Sequence, residues 1–231
     1  MHTYSIDRDI RRKVTIGIFI LSMLLSLVLK QQFADALSKF AIALKTSEGK
    51  YFVELVEWFE LNPVILGIPF LYATITWLYE KWIWKCPFCL RIHGIPNLNG
   101  KWEGGLTSSF DGKTIPMEMD IRQTWSKISF QSTFTQTNSI SYSNVAAIYV
   151  DGNNGVEISF AFRNNSYSVP NKTQSYDGYN ILKLVEKNKI KARYFNDRDN
   201  PNPTVKGGNK GEFEVKRKKY QCKFNKLFKK K

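Results

Sequence analysis

The chain has 231 residues, a length that leaves room for one domain of ordinary size and a membrane element. Its formal net charge is +14 and its mean hydropathy is -0.32. Three cysteines exclude a fold held together by a disulfide framework. Much of the basic excess lies in Lys216–Lys231, so the folded region is only mildly basic and we expect no DNA or RNA polymer as a partner. The basic tail, residues 220–231, either contacts anionic lipid headgroups or is a disordered, solubilising end.

Two apolar segments predict an N-terminal membrane region over residues 1–85. The first, Val14–Leu29, has no charged residue and approaches, with its flanks, the ~20 residues needed to cross ~30 Å of hydrocarbon. The second, Leu61–Trp84, begins near Pro63, a favoured first helical residue, and should be kinked at Pro69. We predict two transmembrane helices, at about residues 13–30 and 62–84.

The connector between these segments repeats apolar residues at helical spacing. It predicts two amphipathic helices that rest on the outer leaflet, extend the spans, pair within the hairpin or associate several copies. Their apolar residues are Phe33, Leu37, Phe40, Ala41 and Leu44, then Phe52, Leu55, Val56 and Phe59. An aromatic belt at the membrane surface is predicted from Trp77, Tyr79, Trp82 and Trp84. Neither uncharged core offers an ion pathway, so a membrane effect would need assembled copies.

The basic residues predict the orientation of this hairpin. They cluster before the first span, from Arg8 to Lys13, and after the second, at Lys81, Lys85 and Arg91. This bias favours a multi-pass arrangement with both termini, and the domain after the second span, in the cytoplasm. A signal peptide cleaved near Ala34-Asp35-Ala36 is the alternative, and the long, acidic leading segment argues against it.

Cys86 and Cys89 form one C-x-x-C pair in the linker, residues 86–96, that follows the second span. A zinc site would need two more ligands, for which only His93 and Cys222 are available. A redox site would want a thioredoxin-like context, which the sequence lacks. We therefore expect reduced thiols, no metal and no cofactor.

Residues 97–219 contain eight short segments with strand patterning, separated by turns. With no helix predicted between them, they favour an all-β fold: an eight-stranded, up-and-down, lipocalin-like antiparallel β-barrel rather than a sandwich, since closure removes exposed edges. Such a barrel holds side chains and at most one small ligand. The predicted strands are Asn97–Leu106, Met117–Thr124, Ile128–Phe134, Ser139–Val150, Val156–Arg163, Ser175–Glu186, Lys189–Asn196 and Gly211–Lys219.

One local motif predicts how the barrel is closed. Leu98-Asn99-Gly100-Lys101-Trp102 resembles the Gly-x-Trp start of lipocalin-type barrels, in which the tryptophan plugs the closed end under an arginine of the last strand. Arg217 stands at the matching position. A guanidinium over an indole contributes about 0.5–2 kcal/mol.

If Trp102 marks the closed end, the far ends of alternate strands meet at an open mouth. They carry arginine, asparagine and tyrosine where a carrier of fatty ligands would carry aliphatic residues. Arginine makes bidentate contacts with phosphate, and tyrosine offers a face for base stacking. We therefore predict a site for a small phosphorylated, base-bearing ligand, with ordinary polar loop ends as the alternative. Its candidate residues are Tyr142, Arg163, Tyr176, Asn180, Tyr194, Asn196 and Arg198.

The sequence contains no grouping typical of a catalytic site. It has neither a nucleophile elbow nor a phosphate-cradling glycine loop. The two histidines, His2 and His93, lie outside the predicted barrel, which excludes a histidine base inside it. We therefore expect a binding protein and not an enzyme.

In its combination of features the chain resembles the two-transmembrane, β-strand-rich effectors of bacterial cyclic-oligonucleotide anti-phage signalling (CBASS). The resemblance covers nearly the whole length and includes the hairpin and the Leu98–Trp102 opening. Its further motifs are Ile121-x-Gln123-x-Trp125-x-Lys127-Ile128, Ala192-Arg-Tyr194-Phe-Asn-Asp-Arg198 and Gly211-x-Phe-x-Val-x-Arg217.

This resemblance implies that the barrel binds a cyclic dinucleotide made by a companion nucleotidyltransferase, a CD-NTase. Binding would drive homo-oligomerisation and disruption of the bacterial inner membrane, killing the infected cell (abortive infection). We expect Arg198 and Arg163 to meet ligand phosphate, and Tyr194 and Tyr176 to stack on bases or shape the mouth. Two other interpretations stay open: a membrane-tethered, lipocalin-like carrier of an apolar ligand, and a C-x-x-C oxidoreductase.

Overall fold

A computed structural model describes residues 1–45, 63–109, 112–150, 155–166, 175–198 and 209–218. The chain divides into two compact units, Asp9–His93 and the combination of Met1–Arg8 with Gly94–Lys231. In the described residues the first unit is helical and the second is a β-barrel. The helices are α1 (Ile10–Val28), α2 (Lys30–Lys45), α3 (Pro63–Lys81) and α4 (Pro87–His93), with a 3₁₀ turn at Ile83–Lys85.

Small residues allow α1 and α3 to pack closely. Ile18, Ser22 and Ser26 recur every four residues and are the buried residues of α1. Gly67 of α3 lies so close that an added Cβ would collide with the Ser26 hydroxyl and the Phe33 ring. The Ser22 hydroxyl donates to the Ile18 carbonyl 2.7 Å away, which satisfies the buried donor. A seam of small residues is typical of helices that pack in a membrane.

Helices are confirmed in both predicted spans, and Pro63 begins α3 as expected, with Pro69 inside that helix. Judged by length and hydropathy, none of the described helices qualifies alone as a membrane span, whereas α1 and Lys30–Ala36 qualify together across a bend of 72°. The two-transmembrane arrangement therefore stays a prediction. In the connector, α2 confirms the first predicted helix, and the second predicted segment, Phe52–Phe59, lies outside the described residues.

The predicted aromatic belt is only partly exposed. Trp77 and Trp82 are exposed, and Lys81 Nζ lies 4.7 and 5.9 Å from their respective ring centroids. Trp84 is fully buried, so its assignment to the belt is wrong. The cause is a local contact, since His93 Nε2 is hydrogen-bonded to the Trp84 carbonyl at 3.0 Å and the two rings pack together.

In the barrel, consecutive strands from β2 to β9 are antiparallel neighbours, and β9 returns to pair with β2. This confirms the up-and-down order predicted for the segments after residue 97. The described strands are β1 (His2–Ile6), β2 (Gly100–Ser108), β3 (Thr114–Gln123), β4 (Lys127–Phe134), β5 (Ser139–Tyr149), β6 (Glu157–Ser166), β7 (Tyr176–Glu186), β8 (Lys189–Asn196) and β9 (Lys210–Arg217).

The prediction of eight strands is wrong by one, because His2–Ile6, assigned from the sequence to the membrane region, is a barrel strand. At the end where β4 leads into β5 these strands pair directly, from Phe134 with Ser139 as far as Gln131 with Tyr142. A register shift at Ser143–Val145 then turns β5 away. There β1 fills the gap, antiparallel to β4 and parallel to β5, so the barrel is mixed.

The interior changes character along the barrel axis. Phe130 of β4 and Phe160 of β6 stack across it, with ring centroids 4.2 Å apart and planes 8° from parallel. On the side of Trp102 the buried residues are mostly apolar, and on the other side serines and asparagines join them. The apolar set includes Met119, Ile121, Ile128, Ile148, Ile158, Leu182, Ile190 and Val215; the polar set includes Ser132, Ser139, Ser141, Asn164 and Asn180.

Candidate functional site

The closed end of the barrel has the geometry that the Gly-x-Trp motif predicts. Trp102 is fully buried, and its indole N–H donates to the Leu98 carbonyl at 3.0 Å. Arg217 of the last strand lies over the indole, with Cζ 4.6 Å from the ring centroid. Its Nη2 donates to the Asn97 carbonyl at 2.6 Å, which ties the incoming chain to the plug.

A cavity of about 370 Å³ occupies the opposite, open end. Its wall combines hydroxyl and amide groups with apolar and aromatic side chains, the mixture expected of a small-molecule site. Among the described residues Arg198 is the only charged side chain in this wall. The lining residues are Leu106, Ser108, Ile115, Met117, Ser132, Phe134, Thr137, Ser139, Ser141, Phe162, Asn164, Tyr176, Asn180, Tyr194, Asn196, Arg198, Asn209 and Phe213.

Five of the seven predicted mouth residues line this cavity. Tyr176 and Asn180 come from β7, Tyr194 and Asn196 from β8, and Arg198 follows β8. They meet because β7 begins, and β8 ends, at the mouth, and inward positions alternate along each strand. The sequence therefore predicted this side of the cavity.

The placement of Arg163 and Tyr142 at the cavity is wrong. Both lie at outward positions, because their neighbours Phe162, Asn164 and Ser141 are the residues that line the cavity. Outside the barrel, Arg163 Nε and Nη2 donate to the two carboxylate oxygens of Asp177 at 2.8 and 2.7 Å. This pair raises the pKa of Arg163 and lowers that of Asp177.

Two asparagines hold the backbone of Arg198 in place. The Asn196 side-chain oxygen accepts from the Arg198 and Asn209 backbone N–H groups at 3.2 and 3.3 Å. In return, Asn209 Nδ2 donates to the Arg198 carbonyl at 3.1 Å. These bonds join the mouth ends of β8 and β9 and set the direction in which the arginine leaves the wall.

The guanidinium of Arg198 lies beside an aromatic face. Its Cζ is 5.8 Å from the ring centroid of Tyr176, within cation–π range. Burial raises the pKa of the Tyr176 phenol, so the ring stays neutral at pH 7 and keeps its donor hydrogen. Together they place a cation and a flat ring at one side of the cavity.

The opposite side of the cavity was missed by the sequence reasoning. It is formed by inward residues of β4 to β6, where the Asn164 Nδ2 donates to the Ser141 hydroxyl at 2.7 Å. The strand alternation contained the signal, since Phe160 and Phe162 are apolar and Asn164 continues the same face. The remaining missed lining residues lie at the mouth ends of β2, β3 and β9, in the turn between β4 and β5 (Thr137) and directly before β9 (Asn209).

No metal site is apparent in the described part of the chain, where no group of three or more His, Cys, Asp or Glu side chains converges. Cys222 lies outside the described residues. The Cys89 N–H donates to Cys86 Sγ at 3.4 Å. Hydrogen bonds from Cys89 lower the pKa of Cys86, whereas burial raises the pKa of Cys89 to about 11.

Comparison with known proteins adds one family. The family model described as "Cap15, cyclic dinucleotide receptor domain" matches residues 93–217, more than half of the chain. No curated protein matches this chain. A solved structure described as "Structure of EF1p2_mFAP2b bound to DFHBI" is 12% identical with a TM-score of 0.34, covering 52% of this chain and 94% of its own. The family match includes β2 to β9 and begins after β1.

Proposed function

Since the chain belongs to the Cap15 cyclic dinucleotide receptor family, we propose that it is a membrane effector of CBASS defence gated by a cyclic dinucleotide in the barrel cavity. One observation carries the proposal: the matched domain has a cavity of about 370 Å³ whose described wall holds a single cation among aromatic rings and amides. That chemistry suits a ligand with phosphates and bases.

Each part of the wall has a role in this proposal. Arg198 contacts a phosphate oxygen, because a guanidinium makes short, charge-assisted and often bidentate hydrogen bonds with phosphate. Tyr176 and Tyr194 stack on a base or shape the space around it. The amides of Asn164 and Asn180 offer both donors and acceptors to base edges. We propose binding without turnover, so the ligand should be recovered chemically unchanged.

The membrane part of the proposal rests on the helical unit. Most of the apolar side chains of α1 are exposed, and a water-soluble domain would bury such a face. At the end of α3, Trp77, Lys81 and Trp82 form the amphipathic cluster typical of a membrane surface. The exposed residues of α1 are Ile16, Phe19, Ile20, Leu21, Met23, Leu24, Leu27 and Val28.

Oligomerisation and membrane disruption complete the proposal. A single pair of helices without an ionisable residue in its core encloses no polar pathway. Several copies must therefore associate if the membrane is to be breached, and the ligand should promote that association. In this proposal the barrel and both termini lie on the cytoplasmic side of the inner membrane, where the cyclic dinucleotide is made.

Binding is tested by calorimetry of the full chain in detergent micelles against a panel of cyclic dinucleotides. A linear dinucleotide and a fatty acid serve as comparison ligands. We expect one cyclic dinucleotide to bind and to be recovered intact by chromatography. Binding of the fatty acid alone would favour the apolar-ligand carrier, which the apolar wall residues Leu106, Ile115 and Met117 support.

The membrane step is tested separately, with the full chain in dye-loaded vesicles of bacterial lipid. We expect dye release and a larger oligomer only when the bound cyclic dinucleotide is present. Dye release at the same rate without ligand would contradict gating, and binding without release would contradict membrane disruption.

A further inference from the structure

The N-terminal strand β1 pairs with β4 and β5, two strands of the cavity wall, and precedes α1 in the chain. Its five residues separate β4 from β5 in the closed half of the barrel. In the open half the same two strands pair directly and contribute Ser132, Phe134, Ser139 and Ser141 to the cavity wall. Strands β4 and β5 therefore both line the cavity and form the backbone pairs that hold β1.

Specific side-chain contacts hold β1 in this gap. The Tyr4 side chain is 2% exposed, and its hydroxyl donates to the Trp125 carbonyl at 2.9 Å. His2 Nε2 is hydrogen-bonded to the Ser143 hydroxyl at 2.7 Å. The same hydroxyl oxygen accepts from the Phe130 N–H at 2.9 Å. Ser143 thus joins β1 to β4 at the position where β5 turns away.

These contacts begin one step from the cavity. Phe130 precedes the cavity residue Ser132 by one inward position on β4, and Ser143 follows the cavity residue Ser141 on β5. A change in the spacing of β4 and β5 at the mouth therefore reaches the His2–Ser143 contact through two covalently connected strands. No long relay of side chains is required.

The other end of β1 leads directly into α1. Both carboxylate oxygens of Asp7 accept from the Val150 N–H at 3.0 Å, and the Asp7 N–H donates to the Ile148 carbonyl at 3.4 Å. Only Asp7, Arg8 and Asp9 separate Ile6 from Ile10. Because the connection is so short, we expect a displacement of the strand to reach the first turn of the helix.

We propose that β1 is the element that couples the cavity to α1, so that ligand binding alters the grip of β4 and β5 on β1 and thereby moves the start of the helix. This inference rests on the proposed cyclic dinucleotide function. An allosteric element needs two discrete arrangements. In the one described here β1 is inserted between β4 and β5; in the proposed second one β1 is displaced, and β4 and β5 pair with each other over a longer stretch.

The strand β1 lies outside the residues that match the family domain. Residues 93–217 contain β2 to β9 but not β1, so that segment alone would leave the facing edges of β4 and β5 unpaired in the closed half. The full chain is therefore the material for the experiments.

The first experiment inserts Gly-Ser-Gly-Ser between Arg8 and Asp9, which keeps β1 and the cavity but slackens the connection to α1. The control carries the same insertion between Lys187 and Asn188, in the exposed reversal between β7 and β8. We expect the Arg8 insertion to keep ligand affinity within about threefold of wild type and to lose ligand-dependent oligomerisation. The control should keep both.

The second experiment tests the strand itself and needs no oligomer. Amide hydrogen exchange of the full chain is measured with and without bound cyclic dinucleotide. We expect ligand to change exchange in β1 and the first turn of α1 by about threefold or more, with no comparable change at the β7–β8 reversal. A bound ligand that leaves β1 exchange unchanged overturns the proposal.

A reversible crosslink gives an independent check. Ser5→Cys with Ala147→Cys joins directly paired positions of β1 and β5, in a chain whose own three cysteines are replaced by serine. Oxidation should block the ligand response of the first turn of α1, and reduction should restore it. An unimpaired response in the oxidised form, or in the Arg8 insertion, overturns the coupling. Absence of cyclic dinucleotide binding by the wild type would instead contradict the proposed function.

Discussion

Trp102 of β2 and Arg217 of β9 are directly paired across the two strands, and the guanidinium of Arg217 lies over the Trp102 indole, with Cζ 4.6 Å from the ring centroid. This contact closes the barrel where β9 returns to β2. Burial lowers the pKa of Arg217, and the Asn97 carbonyl accepts one of its N–H groups at 2.6 Å. The plug thus links three separate segments of the chain.

Replacing Arg217 should loosen the closed end. Arg217→Ala removes a cation–π contact and a charge-assisted hydrogen bond, and we expect a loss of about 2–3 kcal/mol in the free energy of unfolding. Thermal denaturation of the full chain in detergent measures it. Arg193→Ala, at an exposed position of β8, is the control and should change stability by less than about 0.5 kcal/mol. Equal effects of the two variants would contradict the role of Arg217.

Arg198 and Arg163, both predicted from the sequence to bind phosphate, should differ in their effect on ligand affinity when each is replaced by alanine. Arg198→Ala removes the described cation from the cavity wall, and we expect affinity for the cyclic dinucleotide to fall about 10- to 100-fold. Arg163→Ala, whose side chain pairs with Asp177 outside the barrel, should change affinity less than about threefold. Calorimetry of both full-length variants decides between them. A larger loss for Arg163→Ala would place the ligand outside the cavity.

Asn209 is expected to act through Arg198. Asn209→Ala removes the donor to the Arg198 carbonyl, so the arginine is less well positioned, and we expect affinity for the cyclic dinucleotide to fall about 3- to 10-fold. Asn165→Ala, on the outward face of β6 at the same end of the barrel, is the matched control and should bind as wild type. A double variant with Arg198→Ala separates the roles, because a positioning residue should add little once the arginine is gone.

The segment Ile83–His93 should open more easily in acid. Burial lowers the pKa of His93 below its unfolded value of about 6.5, so the opened form binds more protons as the pH falls. The stabilising contribution is therefore complete above about pH 6.5 and is lost as the pH falls below it, toward the folded pKa. Hydrogen exchange between pH 7.5 and 5.5, corrected for intrinsic rates, should show opening increasing by up to about tenfold per pH unit.

Two variants check that His93 is the source of this pH dependence. His93→Gln should flatten it, while His2→Gln, which changes the only other histidine in the sequence, should preserve it. Identical pH profiles for wild type and His93→Gln would contradict the assignment.

Alternating residues explain both the success and the failure at the cavity. The sequence placed Tyr176, Asn180, Tyr194, Asn196 and Arg198 correctly because strand direction follows from the up-and-down order. Position along a strand does not by itself fix the face, however, and a shift of one residue moves a side chain from inside to outside. Arg163 and Tyr142 lie at the correct end of the barrel and on its wrong face.

The sequence by itself determined the eight strands after residue 97, the helices at the two apolar segments and the Trp102–Arg217 closure. Each depends on local periodicity or on a short motif that survives without knowledge of the neighbours. The tertiary structure alone decided that His2–Ile6 joins the barrel. That strand is short and pairs with residues more than a hundred positions away. Its stability comes from the unpaired edges of β4 and β5, which diverge at Ser143–Val145. The local sequence of residues 2–6 contains no information about those edges, so it could not predict the strand.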